Sequence, residues 1–304
     1  MRLIGAEELR RALPVGEAID ALERAFARGV PAAPLRSHQE TPGGGLLLMP
    51  AVGPEGVGVK VVTVTPGNPG RGLPLIHAVY VLFDPATQAP IALLDGAALT
   101  ALRTGAVSGL ATRHLARPDA RRLVVFGAGV QARAHLEAMR AVRPVERVVV
   151  VSRTRDRAEA LVAEARASGL EAELGEPGAV ARADLVCTCT TSPTPVLDGN
   201  RLAAGAHVNA VGAFTPETRE LDDETVRRAR VVVEDRAVAL AEAGDLLIPM
   251  RAGLIGEDHI WADLVELCRG ARVREGPEDV TVFKSVGMAV EDLVVAAAAL
   301  ERLG

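Results

Sequence analysis

Aromatic side chains are scarce in this chain, at 2% of 304 residues, so its core has to be packed from Ala, Val and Leu, which a 49% apolar content supplies. Lysine is scarcer still: Lys60 and Lys284 are the only two, which singles out both. The three cysteines, Cys187, Cys189 and Cys268, are an odd and sparse set without metal spacing. They exclude a disulfide framework and fit a reducing cytoplasm, with Cys187-x-Cys189 read as core packing on a Val-rich strand. His114, His135, His207 and His259 show no ligand spacing, so no metal is expected. A net charge of −5 gives no basis for a nucleic-acid partner. No uninterrupted apolar run reaches membrane length, and no basic-apolar-small signal opens the chain; the expectation is a soluble, cytoplasmic protein without a membrane partner.

The stretch Arg121-Arg122-Leu123-Val124-Val125-Phe126-Gly127-Ala128-Gly129-Val130-Gln131-Ala132 reads as a buried strand, a glycine turn and the start of a helix. A turn written G-x-G-x-x-G/A between strand and helix is the dinucleotide fingerprint. Gly127 permits the tight turn, Gly129 lets backbone approach a pyrophosphate, and Ala132 lets helix and strand pack closely. Gly127, Ala128, Gly129, Val130 and Gln131 are therefore expected to bind the cofactor, with the helix start facing its phosphates. A second strand, Arg147–Val151, ends in Ser152-Arg153-Thr154-Arg155. An NAD site normally places Asp or Glu here, about 20 residues past the glycines, to hold the ribose 2′-OH. Hydroxyls and a guanidinium suit a 2′-phosphate instead. Ser152, Arg153 and Thr154 thus point to NADP(H) over NAD(H).

Around that stretch the chain has two rhythms. Residues 1–30 look helical, with Ala18, Ile19, Leu22, Ala25 and Phe26 at helical spacing. Strands follow at Leu46–Met49, Val57–Thr65, Leu75–Phe83 and Ile91–Leu94, joined by short turns as in an antiparallel or mixed sheet. A helix over Asp95–Ala116 carries Gly105 and Gly109, each costing about 1 kcal/mol against alanine, which is understandable where another backbone or a ligand comes close. From Arg121 strands and helices alternate, predicting strands at 122–126, 147–151, 171–174, 184–189, 206–211 and 230–234, and helices near 131–142, 155–168, 222–229 and 263–269. The fold class is α/β: a Rossmann doubly wound parallel sheet at 119–282, plus a discontinuous α+β unit made of 1–118 and 283–304. Thr190 and Val211-Gly212-Ala213-Phe214 stand where strands end, so they are expected to line the cofactor crevice.

The landmarks Gly58-Val59-Lys60, Ala98–Thr104, Gly127–Ala132, Asn209–Ala213, Arg219–Asp222 and Thr281–Asp292 together resemble the ornithine cyclodeaminase/mu-crystallin family over nearly the whole chain. The resemblance implies a homodimer, with the α+β unit forming both the interface and the substrate pocket, and NAD(P)-dependent chemistry at a carbon joining nitrogen to a carboxylate. It implies that Arg36, Lys60 and Arg103 hold the substrate carboxylate, that Val286 joins the substrate site, and that Thr104 and Ser285 contact the cofactor. Cyclodeaminases carry an aspartate acid/base just after Val-Gly-Gly. This chain has Phe214 there, and a phenyl ring neither shuttles protons nor pairs with an ammonium group.

The reading is an NADPH-dependent reductase of cyclic imine or ketimine carboxylates, such as 1-pyrroline-2-carboxylate or 1-piperideine-2-carboxylate, with a small imino or amino acid as its partner molecule. Lys60 and Arg103 are the catalytic candidates, Lys60 as proton donor with a pKa depressed by the nearby arginines. Phe214 walls the pocket. The alternatives are an ornithine cyclodeaminase or alanine-dehydrogenase-type enzyme, which ammonia release would reveal, and a mu-crystallin-like binder of NADPH or another small molecule without turnover. A salt bridge or helix-start contact is expected for Lys284.

Overall fold

Apolar residues alternate with exposed ones along the N-terminal strands, and that period of two builds a half-buried sheet. In the computed structural model, which describes residues 1–31 and 34–304, this sheet belongs to a unit of Met1–Arg103 together with Met288–Gly304. Its elements are β1 (Arg2–Ile4), α1 (Ala6–Ala12), α2 (Val15–Arg28), β2 (Ser37–Thr41), β3 (Gly44–Gly53), β4 (Gly56–Val64), β5 (Ile76–Phe83) and β6 (Pro90–Asp95). Strands β2 to β6 form an antiparallel meander, and β1 closes the sheet by pairing parallel to β6. Register pairs Lys60 with Met49 on one side and Tyr80 on the other, and all three face the buried side.

The wholly helical reading of residues 1–30 fails at β1, because three residues are too few to show a period and their partner strand is far along the chain. The apolar stripe Ala18, Ile19, Leu22, Ala25 and Phe26 is buried on α2 as spacing predicts. Strand β2 (Ser-His-Gln-Glu-Thr) has no counterpart in the sequence reading, since every residue in it is exposed and no alternation marks it.

Helix α3 (Gly96–Leu115) leads into the second unit, Thr104–Gly287. The sequence rhythm puts the joins at 118/119 and 282/283; the units divide at Arg103/Thr104 and Gly287/Met288. The following elements are β7 (Arg122–Phe126), α4 (Val130–Val142), β8 (Arg147–Val151), α5 (Arg155–Ala167), β9 (Glu171–Leu174), β10 (Leu185–Thr188), β11 (His207–Ala210), α6 (Asp223–Arg228), β12 (Ala229–Val233), α7 (Arg236–Glu242), α8 (Gly244–Arg251), β13 (Ile260–Asp263), α9 (Leu264–Cys268) and β14 (Val280–Lys284). Among the described residues the strands form an eight-stranded sheet in the order β13-β12-β14-β11-β10-β7-β8-β9, all parallel. Strand order reverses between β7 and β10, the point where such sheets take their ligands. The three strands after β6 match the sequence reading residue for residue. Helices α7 and α8 and strand β13 are too short to show a period, and the sequence reading lacks them.

Gly105 explains one costly helix glycine: a Cβ there would meet the Ala134 carbonyl oxygen of α4 at 2.8 Å. Nearby, His135 Nε2 and Ser108 Oγ lie 2.9 Å apart, tying α3 to α4. The last helix, α10 (Ala289–Leu303), rests on β3, β4 and α2 of the first unit. A helix of 15 residues is marginal alone even when rich in alanine, and that packing supplies the rest. Among the described residues no helix is long and apolar enough to cross a membrane.

Candidate active site

In the second unit, β7 ends at Gly127, whose φ of +105° needs glycine. A Cβ there would also stand 2.6 Å from the Cys189 carbonyl oxygen beyond β10. Gly129 is the N-cap of α4, with no side chain capping the helix and open space where its Cβ would point. Its following residue Val130 is 66% exposed, while Ala132 is fully buried against the strand. Uncapped backbone N–H groups at an approachable helix start fit the pyrophosphate of a dinucleotide. At the end of β8 the Ser152 hydroxyl accepts from the Thr154 backbone N–H at 3.2 Å. Arg155 is taken by Glu159 at 2.8 Å. Arg153 and Thr154 are exposed, which suits a group lying along that edge.

Three further cofactor candidates, Thr190, Gly212 and Ser285, are held by buried carboxylates to which the sequence reading assigns no role. Glu220 Oε1 accepts from the Thr190 backbone N–H (2.7 Å) and hydroxyl (2.6 Å), and its Oε2 from the Thr188 hydroxyl (2.8 Å) and the Gly212 N–H (2.7 Å). One side chain thus joins the loops after β10 and β11. Burial raises the Glu220 pKa, with Asp245 adding to the rise, while the Thr190 and Thr188 bonds and Lys284 oppose it. Glu234 does the same beyond β14, accepting from the Ser285 hydroxyl (2.6 Å) and from Val286 and Gly287 N–H (2.9 and 2.8 Å). The Ser285 hydroxyl therefore donates within the protein. Lys284 forms the expected salt bridge, 2.8 Å from Asp245 Oδ2, and also donates to the Ala213 carbonyl. Phe214, next along, is 37% exposed.

In the first unit Lys60 is 1% exposed and lies on the inner face of β4. Its ammonium donates to both Asp292 oxygens, at 2.7 and 2.9 Å. Arg103, near the middle of α3 and 6% exposed, reaches Glu291 Oε2 at 2.9 Å and has its Nε 3.4 Å from Asp292 Oδ1. Its partners come from the first turn of α10, where the helix dipole favours acidic residues. The Lys60 pKa falls to about 8, chiefly through burial. Asp292 opposes the fall, and Arg103 and Arg36 add to it. The nearby arginines thus depress it as the sequence reading expects, behind desolvation. Arg36 directly precedes β2 and is half-buried. Thr104 is buried, and Val286 is buried with its N–H on Glu234. Among the described residues no group of three or more His, Cys, Asp or Glu is placed to hold a metal ion.

Asp292, Glu291, Glu220, Glu234 and Asp245 are partners of the candidate residues that the sequence reading misses. One signal is present, for Glu291 and Asp292 only: paired acids opening an otherwise alanine-rich helix.

The same arrangement of elements recurs in known proteins. The model of the ornithine cyclodeaminase/mu-crystallin family matches residues 4–304. The chain belongs to that family. Within it, the chain is 39% identical to a Delta(1)-pyrroline-2-carboxylate reductase of Bacillus cereus, covering 97% of this chain and 94% of that one. It is 39% identical to the ketimine reductase mu-crystallin of Mus musculus, over 86% and 80% of the two chains. Among solved family structures, the Thermococcus litoralis Delta(1)-pyrroline-2-carboxylate reductase in complex with NADH and L-proline superposes with a TM-score of 0.95 at 39% identity, covering 99% and 97% of the chains. An archaeal alanine dehydrogenase dimer with bound NAD gives 0.93 at 33% identity, covering 99% and 95%.

Proposed function

We propose that the protein is an NAD(P)H-dependent reductase of cyclic imine carboxylates, forming proline from 1-pyrroline-2-carboxylate or pipecolate from 1-piperideine-2-carboxylate. The observation that carries this reading is the pair Lys60 and Arg103, both cations and both buried on one face of the first unit. Asp292 and Glu291 balance these two cations inside the fold, as buried charges require, and the acid group of the substrate is proposed as the further anion that the pair meets. Arg36, Lys60 and Arg103 would hold that carboxylate, with Val286 and Phe214 bordering the ring. The pyrroline-2-carboxylate reductases and the ketimine reductase among the relatives support this choice of substrate.

The reduced nicotinamide, when bound, supplies a hydride to the C=N carbon. The chain's residues do the rest. Fixing the carboxylate orients the imine and removes the entropy cost of a bimolecular encounter, which supplies up to about 7–11 kcal/mol in ideal cases. Lys60 donates the proton to the ring nitrogen; a pKa of about 8 keeps it charged at neutral pH and able to release. Phe214 offers no acid or base, which argues against the deaminating route. Gly127 to Gln131, Thr104, Ser152 to Thr154, Thr190, Val211 to Ala213 and Ser285 are proposed to form the dinucleotide site, Ser285 through its backbone or after its hydroxyl leaves Glu234. Exposed Arg153 supports NADPH over NADH. We further propose a homodimer, a reading that the dimer of the archaeal alanine dehydrogenase supports.

The test is to incubate the purified chain with each cyclic imine and each reduced nicotinamide and follow cofactor oxidation. Turnover that Lys60→Met abolishes is expected. Ammonia release from ornithine, or cofactor binding without any turnover of imines, would overturn the reading.

A further inference from the structure

Lys60 has to stay protonated in a place that disfavours charge. It lies on the covered face of β4, with Met49 of β3 and Tyr80 of β5 as its cross-strand neighbours. The charged or titratable groups set around it are Asp292 from α10, Arg103 from α3, Arg36 ahead of β2, and Tyr80. Glu291 is one step removed, on Arg103. Of these groups, Asp292 is the one that favours the ammonium form, and it does so by charge and by hydrogen bond.

The geometry is specific. Both oxygens of Asp292 accept from Lys60 Nζ, which fixes where the ammonium points at the end of a flexible stem. The same carboxylate lies 3.4 Å from Arg103 Nε, while the other end of that guanidinium is taken by Glu291 at 2.9 Å. The two acids therefore divide the work. Glu291 engages Arg103, and Asp292 spans both cations and sets their spacing. A carboxyl-bearing substrate meets two cations already held at a fixed separation, with little reorganisation needed on arrival.

We propose that Asp292 is the positioning residue of the substrate-carboxylate site, holding Lys60 charged and aimed beside Arg103. This rests on the functional reading above in naming the substrate, but the claim about Lys60 stands without it. Asp292 touches neither substrate nor cofactor in this role. It acts through Lys60: without it, burial and the two arginines act together to discharge the amine, and a neutral amine neither holds an acid group nor serves as a strong proton donor.

The scarcity of lysine makes the test direct. In the full chain labelled with carbon-13 at lysine Cε, only Lys60 and Lys284 give side-chain signals, and Lys60→Arg assigns them. The wild-type Lys60 signal is expected to titrate at a midpoint of about 8. In Asp292→Asn the midpoint moves down by roughly one to two pH units, the alkaline limb of kcat/KM moves with it, and kcat at neutral pH falls further than substrate affinity. Asp292→Glu, keeping the charge, restores much of the midpoint. A residue that merely stabilised the fold would leave the midpoint in place. A folded Asp292→Asn chain with an unmoved Lys60 midpoint overturns the proposal. If that variant does not fold, the wild-type titration decides. A Lys60 already neutral at pH 7, or titrating like an exposed lysine, overturns the proposal; a midpoint near 8 that Asp292→Glu preserves upholds it. Because the signal is read without substrate, failure of every imine to react would count against the enzymatic reading and leave this one standing.

Discussion

Lys284 Nζ lies 2.8 Å from Asp245 Oδ2, and neither side chain has any exposed surface. Asp245 also accepts from the backbone N–H of Glu220 and Leu221, each at 2.8 Å, so the pair anchors the strand end of β14 to the segment that carries Glu220. Removing one partner of such a pair strands the other charge. Lys284→Met is expected to cost about 3–5 kcal/mol of stability, read as a lower urea midpoint at unchanged slope. A loss under about 1 kcal/mol would mean the pair is not desolvated as described.

Glu220 joins the loops after β10 and β11 through four hydrogen bonds. Glutamine keeps the shape but turns one acceptor oxygen into a donor facing Thr188 and Gly212, or Thr190. Glu220→Gln should therefore weaken dinucleotide binding by roughly tenfold or more, the equivalent of ~1.5–3 kcal/mol for a charge-assisted bond. Quenching of fluorescence in a NADH titration measures it. Unchanged affinity would remove Glu220 from the cofactor site.

Arg153 stands exposed at the end of β8, beside an Arg155 already engaged by Glu159. If it meets a 2′-phosphate, Arg153→Ala loses about ten- to a hundredfold in NADPH affinity, for a charge-assisted bond of ~1.5–3 kcal/mol, while NADH binding hardly changes. Equal losses for both cofactors, or none, would remove the case for NADPH.

Two buried histidines set an acid limit on stability. Burial pushes His135 down to about 4 and His207, with Arg274 and Arg143 adding, to about 3. An unfolded histidine titrates near ~6.5, so below that pH the unfolded chain binds protons that the folded chain refuses. Stability is then full above about pH 6.5 and falls by about 1.4 kcal/mol per pH unit for each histidine as pH drops toward the folded values. Urea midpoints taken at falling pH should show this slope, and His135→Gln should reduce it by about half. A flat profile between pH 6.5 and 4.5 contradicts the burial of both rings.

The sheet of the second unit is legible in the sequence because its inner strands are buried on both faces and read as uninterrupted apolar runs, such as Leu123–Phe126 and Val231–Val233. Gly127 and Gly129 announce their turn for the same reason that they are needed in it. Strand β2 is illegible because an exposed edge strand needs no apolar period, and β1 because its pairing is non-local. At the candidate site Lys60 and Arg103 stand out by their surroundings, whereas their partners do not. Asp292 is 232 positions from Lys60, and no spacing rule connects them. Glu220 looks like any acid in a loop until its four donors are seen.

The counter-ion of Lys60 sits in the closing helix of a unit whose sheet is translated long before it. On the ribosome, Lys60 emerges without its carboxylate, and the contiguous stretch Thr104–Gly287 is complete while the earlier strands still wait for α10. Released chains truncated before Asp292 should therefore expose an unfinished first sheet to proteases, although every residue of the second unit is present in them.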